Sequence, residues 1–446
     1  MAELADRAPV LIISHEIVGP RMTGPGIRYF HLARVLAREF PVALAVPSGS
    51  ALGSDDFSVL SYQSAADPAL LDCIRQARAV LVPAVWVSAL PALKQSSTPL
   101  VVDGYDPFLA ETLSLNGDVE AQQIALTEAY LAGDFFLCAS ERQRDWWLGV
   151  LEASGRVNVH TYREDPSLRH LIDLVPFGLP ETPPKSTRPA VKGVWAGIST
   201  QDRVLLWGGG LWPWLDPGTA IRAVAKVWRT RQDVRLLFPG TQHPNPGMAG
   251  VATHNAAARA LASELGLLDR AVFFGDWVPY ADWPNVLFES DVALTLHQAD
   301  DLESRLAFRS RVFDYIWAGL PTIATRGDVT SELIASYGLG VVVEPGDSDA
   351  VAAAILQLLE LSRQDREGNF ARARAELTWE RAARPLIEFC RHPCQAPDRM
   401  ALGERVGNPY YVNELNRLRD RVQAFERRRI IRWLDYLRPL RYLHQA

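Results

Sequence analysis

Cysteine is scarce. Cys73, Cys138, Cys390 and Cys394 are four in 446 residues, too few for a disulfide framework, and a reducing compartment is expected. Cys390 and Cys394, with His392 between them, supply at most three metal ligands, and no second pair accompanies them. Long hydrophobic runs are also missing. The longest apolar stretch, Ala79 to Leu93, is broken by Pro83 and Pro91 and falls short of the ~20 residues that span a bilayer. The N-terminal MAELADRAP lacks the basic-then-apolar pattern of a secretory signal, so a cytoplasmic location is expected. Positive charge is not in excess: 46 Lys+Arg stand against 52 Asp+Glu, a net −6, which argues against a dedicated nucleic-acid binder. Asp-rich metal clusters are absent, and the pair Asp300-Asp301 reads as a solvated turn, so no metal cofactor is expected.

What is present is an ordinary globular composition, 48% hydrophobic and 22% charged, in a chain long enough for two or three domains. The run Pro9–Ser14 reads as a strand, Gly19–Gly26 as a glycine-rich turn, and the stripe Phe30, Ala33, Leu36 as a helix. That order opens a doubly wound nucleotide-binding unit. Further strands are expected at Val42–Val46, Ala79–Pro83, Leu100–Val102, Phe135–Ala139 and Asp173–Pro176. After the Pro-rich stretch Pro180–Pro189 the rhythm restarts with strands at Val204–Trp207, Val234–Phe238, Val272–Phe274, Val292–Leu296, Pro321–Ala324 and Val341–Val343. The expected fold class is therefore α/β, with two Rossmann-like domains facing a cleft and a helical tail. The boundaries are 1–182 for the first Rossmann-like domain, 183–200 for a linker and 201–376 for the second. A crossover helix at 377–392 and a basic helical tail at 393–446 complete the chain.

The segment Glu303 to Thr325 is the most informative. Its helix puts Val312, Phe313, Ile316 and Trp317 on one face and Arg311, Asp314, Tyr315 and Ala318 on another. Arginines at a helix start favour anions, and a carboxylate one turn later suits the two hydroxyls of a ribose. These are the parts of a nucleoside diphosphate site.

Here the chain resembles the retaining glycosyltransferases of family 4, which have the two-domain GT-B fold. The pattern is carried by Asp314-Tyr-Ile-Trp-Ala-Gly-Leu-Pro321 with Arg311 three positions earlier, and by weaker likenesses running from Met22 to Pro345. The resemblance implies that Gly24 and Gly26 bring the first helix's amides to the donor, with Arg28 on the first turn reaching the same phosphates. It implies that Asp314 binds the ribose, that Arg309 and Arg311 bind the diphosphate, and that Trp277 in Phe274-Gly-Asp-Trp-Val278 stacks on the base. Gly209 and Gly210 line the donor in the loop Gly208–Asp216. This loop departs from the family: Gly210 and Leu215 stand where an Arg and a Lys are common. The paired glutamates are incomplete as well, with Leu306 at one position, and Glu303 is expected to replace it on the sugar hydroxyls. Tyr105 stands nearest a common His, which leaves Asp103 and Asp106 as the catalytic carboxylates.

The function implied is transfer of a sugar from a nucleotide diphosphate sugar to a glycan or lipid-linked acceptor, with retention. A nucleotide-sugar epimerase of the same fold and a catalytically silent sugar-nucleotide-binding partner are the alternatives. The tail adds a separate signal. From Glu414 to Ala446, nine Arg against four acids give +5, leaving about −11 on the preceding residues. Leu415, Leu418, Val422 and Phe425 form one apolar stripe, and Ile430, Trp433, Leu434 and Leu437 a second. An anionic membrane surface suits it, as do packing on the body of the protein and pairing with another copy of the chain.

Overall fold

The computed structural model describes residues 8–426, apart from 242, 245–250, 299–300 and 362–363. Two all-parallel sheets carry the chain. The first, of seven strands, has the order β3-β2-β1-β4-β5-β6-β7: β1 Val10–Ile13, β2 Val42–Pro47, β3 Ser58–Tyr62, β4 Ala79–Pro83, β5 Leu100–Asp103, β6 Phe135–Cys138 and β7 Ile172–Leu174. The second, of six, has the order β10-β9-β8-β11-β12-β13: β8 Arg203–Leu206, β9 Val234–Phe238, β10 Val272–Phe274, β11 Val292–Thr295, β12 Thr322–Thr325 and β13 Gly340–Val343. The central strands β1, β4, β5 and β6 are buried throughout, as continuous Val/Ile/Leu-rich runs between two helical layers should be. Strand β3 was not anticipated. Its Ser-Val-Leu-Ser-Tyr sequence is half exposed at the sheet edge, where neither a continuous apolar run nor clean alternation is required.

In both sheets the winding reverses beside the first strand, between β1 and β4 and between β8 and β11. The crevices at these reversals open at the carboxyl ends of the strands, and the two face each other. Val191 and Ile198, within the expected linker, are buried against the second domain. Glu289 holds this segment by accepting from the backbone amides of Ala190, Val191 and Lys192 at 3.2, 2.6 and 2.8 Å.

The domains share one apolar cluster. Tyr29 and Leu32 of the first helix, Gly24–Leu36, meet Val312, Phe313 and Ile316 of the Arg311–Trp317 helix and Trp379 of the returning chain. His31 stacks on Trp379 at 5.3 Å and shares a 2.9 Å hydrogen bond with the Tyr280 hydroxyl of the second domain. The chain then crosses back. The Arg384–Arg391 helix lays Phe389 on Phe135, with ring centroids 5.0 Å apart. Part of the segment expected as tail belongs to the body: the helix Pro397–Leu402 is fixed by a fully buried Arg156–Asp398 pair and by Arg399 on Asp134. Beyond it the helix Pro409–Glu426 stands on the surface. The second expected stripe, Ile430 to Leu437, lies outside the described residues, as does Asp300. Among the described residues no helix is long and apolar enough to cross a membrane.

Candidate functional site

A cavity of about 300 Å³ lies between the two sheets, lined by both domains. Its first-domain wall comes from the chain after β1 (His15, Glu16), the start of the first helix (Thr23, Gly24) and the segment after β5 (Tyr105, Asp106, Glu111). Its second-domain wall holds Gly208, Gly209, Gly210, Trp212, Trp277, Trp283, Glu303, Arg309, Arg311 and Asp314. Residues expected at the site from 290 positions of sequence therefore meet in one place.

Arg311 is the cation with the least compensation. One guanidinium nitrogen, Nη1, is buried without a hydrogen-bond partner, and Nη2 reaches only the Gly210 carbonyl at 3.4 Å. Burial, reinforced by Arg309, lowers its pKa, yet an arginine stays charged in a protein. The site thus presents a buried positive charge beside the Gly209–Gly210 turn. Gly209 has φ +82°, which only glycine adopts readily. The opposite wall adds donors. The first helix has no side-chain cap and no acid in its first turn, and the 7% exposed Thr23 hydroxyl is buried without a partner. An uncapped helix start and a free hydroxyl suit an anionic group.

Asp314 lies one turn from Arg311, and its Oδ2 accepts from Trp283 Nε1 at 3.0 Å. Burial pushes its pKa up to about 7 despite Trp283 and Arg311, both of which favour the carboxylate. Asp106 is also pushed up to about 7, first by burial and then by the charge of Asp103. Glu111, on the Phe108–Ser114 helix, is raised well above the ordinary carboxylate range by burial and by Asp106. Trp277 covers Gly240 and meets His243 edge to face at 5.8 Å, while Trp212 and Trp214 stack at 5.2 Å. An aromatic wall stands where charged residues were missing from the loop Gly208–Asp216.

Five expected site residues take other roles. Asp103 is 1% exposed and accepts both Nε and Nη2 of Arg28, at 2.7 and 3.0 Å. Neither lines the cavity: with both carboxylate oxygens bound inside the core, Asp103 cannot reach an acceptor, nor Arg28 a phosphate. Arg28 also donates to the Pro176 carbonyl and lies over the Tyr105 ring. Gly26 is a packing glycine, since a Cβ there would come within 2.7 Å of the Ile17 carbonyl. Arg309 does line the cavity, but Glu303 takes its two Nη groups at 2.7 Å each, and Asp328 stands 3.5 Å from its Nε. Burial alone would lower the Arg309 pKa; these carboxylates reverse the shift. Its charge is spent within the protein, and the Glu303 carboxylate is equally engaged.

Several lining residues were missed, among them Thr23, Trp283, His15 and Glu111. His15 has a buried Nδ1 without a partner, and burial lowers its pKa to about 4. The position of Ser14-His15-Glu16 directly after β1, at the reversal of strand order, was the available signal for His15; nothing in the sequence marked Glu111.

The seam beside the cavity is closed by first-domain groups that grip the 305–308 backbone. Arg142 donates to the Arg305 carbonyl at 2.9 Å, Gln143 to Leu306 at 2.8 Å and Tyr105 to Phe308 at 2.8 Å. Among the described residues no group of three or more His, Cys, Asp or Glu is arranged to hold a metal ion.

Two facing Rossmann-like domains, a cleft between them and a C-terminal return to the first domain define the architecture. The fold is GT-B. The solved structures of sucrose-phosphate synthase from Thermosynechococcus elongatus (TM-score 0.63, 16% identity, 86% of this chain and 98% of that one) share the GT-B fold with it. So do WaaG, a glycosyltransferase involved in lipopolysaccharide biosynthesis (0.58, 16%, 86% and 100%), and Anabaena HepE in complex with UDP and glucose (0.59, 14%, 85% and 98%). Residues 202–361, most of the second GT-B domain, match the family model Glycosyl transferases group 1. No curated protein sequence matches the chain.

Proposed function

We propose that this protein transfers a sugar from a nucleoside diphosphate sugar to a hydroxyl of a glycan or lipid-linked acceptor, with retention of anomeric configuration. The observation that carries the reading is Arg311: a buried guanidinium with an unpartnered nitrogen, facing an interdomain cavity beside the Gly209–Gly210 turn. A diphosphate would satisfy that charge together with the Thr23 hydroxyl and the first helix's amides. Asp314, one turn on, takes the ribose diol, and Trp277 flanks the base. Asp106 and Glu111 then face the acceptor, Asp106 accepting its hydroxyl hydrogen and orienting it. As the glycosidic bond to phosphate breaks, negative charge grows on the leaving diphosphate, and Arg311 stabilises it. The acceptor proton passes to the departing phosphate oxygen or to Asp106. The charge neutralisation required is assigned to Arg311 and backbone amides, with no resident metal.

A thermal-shift series against UDP-, GDP- and dTDP-sugars should find at least one stabilising donor. Incubating that donor with an acceptor library should release nucleoside diphosphate and form a product whose anomeric proton coupling matches the donor. Conversion of the donor sugar without acceptor would mark an epimerase instead. Tight binding with no turnover across the library would mark a silent sugar-nucleotide-binding protein.

A further inference from the structure

Gln143 is 2% exposed, and the two hydrogens of its side-chain amide are committed one to each domain. Nε2 donates at 2.8 Å to the Tyr105 carbonyl of the first domain and at 2.8 Å to the Leu306 carbonyl of the second, while Oε1 accepts from the Ala139 amide at 2.7 Å. Those two carbonyls belong to segments that form opposite walls of the cavity. Tyr105 is followed directly by Asp106, and Leu306 stands between Glu303 and Arg309. Gln143 itself does not line the cavity. Its place is fixed from the first domain, where Ser140 caps the helix Glu141–Ala153 by accepting from the Gln143 backbone amide at 3.1 Å. Beside this seam lies a second interdomain gap of about 730 Å³, lined by Ser140, Arg142 and Glu332, and the rings of Phe177 and Phe308 border both spaces. A partition this thin holds its width through the hydrogen bonds that cross it.

We infer that Gln143 is a positioning residue for sugar transfer: it fixes the distance between Asp106 on one wall and the Glu303–Arg311 segment on the other, and touches neither substrate. The inference rests on the transferase reading given above. A transfer reaction needs the donor carbon and the acceptor oxygen within about 3–3.5 Å and aligned, and a misplacement of about 1 Å costs on the order of 10²-fold in rate. Each substrate keeps its own contacts when the seam slackens, because the donor is held by the second domain and the helix start, and the acceptor by the first. What is lost is their relative placement. A widened gap also admits water to the donor carbon in place of the acceptor hydroxyl. Tyr105 crosses the same seam through its hydroxyl on the Phe308 carbonyl, but its side chain lines the cavity, so a change there alters the wall itself. Gln143 acts on placement alone.

Gln143→Met keeps the length and removes both donated bonds, and Gln143→Glu sets a carboxylate against two carbonyl oxygens. In each, kcat for transfer should fall by about 10–100-fold, the calorimetric affinity for UDP or GDP should hold near the wild-type value, and a larger share of the donor sugar should pass to water. Arg144→Met is the matched control. Arg144 is the next residue and is buried as well, and its guanidinium donates to the Ile172 and Ser167 carbonyls, both in the first domain. It should lower the unfolding midpoint and leave kcat and the water-to-acceptor partition near wild type. Hydrogen exchange gives a readout that needs no turnover: amides of residues 303–309 should exchange about tenfold faster in Gln143→Met and at the wild-type rate in Arg144→Met. Unchanged kcat in the Gln143 variants, the same loss in Arg144→Met, donor affinity falling in step with kcat, or unchanged exchange over 303–309 would each overturn the proposal. Faster exchange in a protein that transfers no sugar to any acceptor would fail the transferase reading instead.

Discussion

Arg28 and Asp103, 75 residues apart in sequence, form a bidentate ion pair that is 1% exposed on both sides. It ties the second turn of the first helix to the end of β5, behind the Tyr105 ring that lines the cavity. The helix start and the Tyr105–Asp106 segment therefore hold a fixed relation to each other, and the pair supports the site without touching substrate.

Asp103→Ala should destabilise the protein by about 3–5 kcal/mol, because it strands a buried guanidinium. The double variant Arg28→Met/Asp103→Leu should recover most of that loss, since removing both charges removes the unmet desolvation cost. Urea unfolding measures both. A double variant as unstable as the single one would show that the pair contributes more than charge satisfaction.

Arg311 and Arg309 are two residues apart and should fail in opposite ways. Arg311→Ala removes a charge-assisted contact to the donor and should weaken binding of UDP or GDP, whichever the protein takes, by roughly 10–100-fold with little change in stability. Arg309→Ala leaves Glu303 buried without its partner and should lower the unfolding midpoint more than donor affinity. Calorimetric titration beside thermal unfolding separates them, and the reverse pattern would overturn the assignment.

Asp314 makes stability depend on pH in a defined direction. Because burial raises its pKa to about 7, the native state keeps a proton that the unfolded chain releases at ordinary carboxylate values. That contribution is complete in acid and is lost as pH rises through about 7. Asp314→Asn, neutral throughout, should therefore gain stability over the wild type progressively from about pH 4 to about pH 7 and no further above that. Donor affinity should move the other way in the wild type, rising as the carboxylate ionises to accept the ribose diol, and should be weak and flat in the variant. A parallel stability profile for the two proteins would count against this account.

Asp106→Asn keeps the size and removes the base. Its kcat should fall by about 10²–10⁴-fold, while donor affinity stays within twofold or so of the wild type, since Asp106 faces the acceptor side. The wild-type kcat/KM should rise with pH through about 7, the value to which burial and Asp103 bring this carboxyl. Unchanged turnover in the variant would leave the departing phosphate as the sole proton acceptor.

Most of the twelve strands that could be read in the sequence have apolar runs buried on both faces, such as Val-Leu-Ile-Ile at β1 and Val-Ala-Leu-Thr at β11, and the half-buried edge strands β7 and β13 still carry short apolar runs. Edge strand β3 escaped because its Ser-Val-Leu-Ser-Tyr sequence offers neither a continuous apolar run nor a clean alternation. Local patterning located Arg311 and Asp314, and the family resemblance Asp106 and the Gly209–Gly210 turn, all of which line the cavity. Sequence by itself thus determined two doubly wound domains, their order and several residues in the wall of the site. Only the tertiary structure decided which charged residues are available there. Arg28 is neutralised by Asp103, Arg309 by Glu303, and Arg311 by neither; His15 and Glu111 enter the wall from segments with no distinguishing spacing. The physical reason is range. Burial on a strand or helix face follows a period of two or 3.6 residues and is written locally, whereas the partner of a buried charge is chosen by whichever elements the fold packs together.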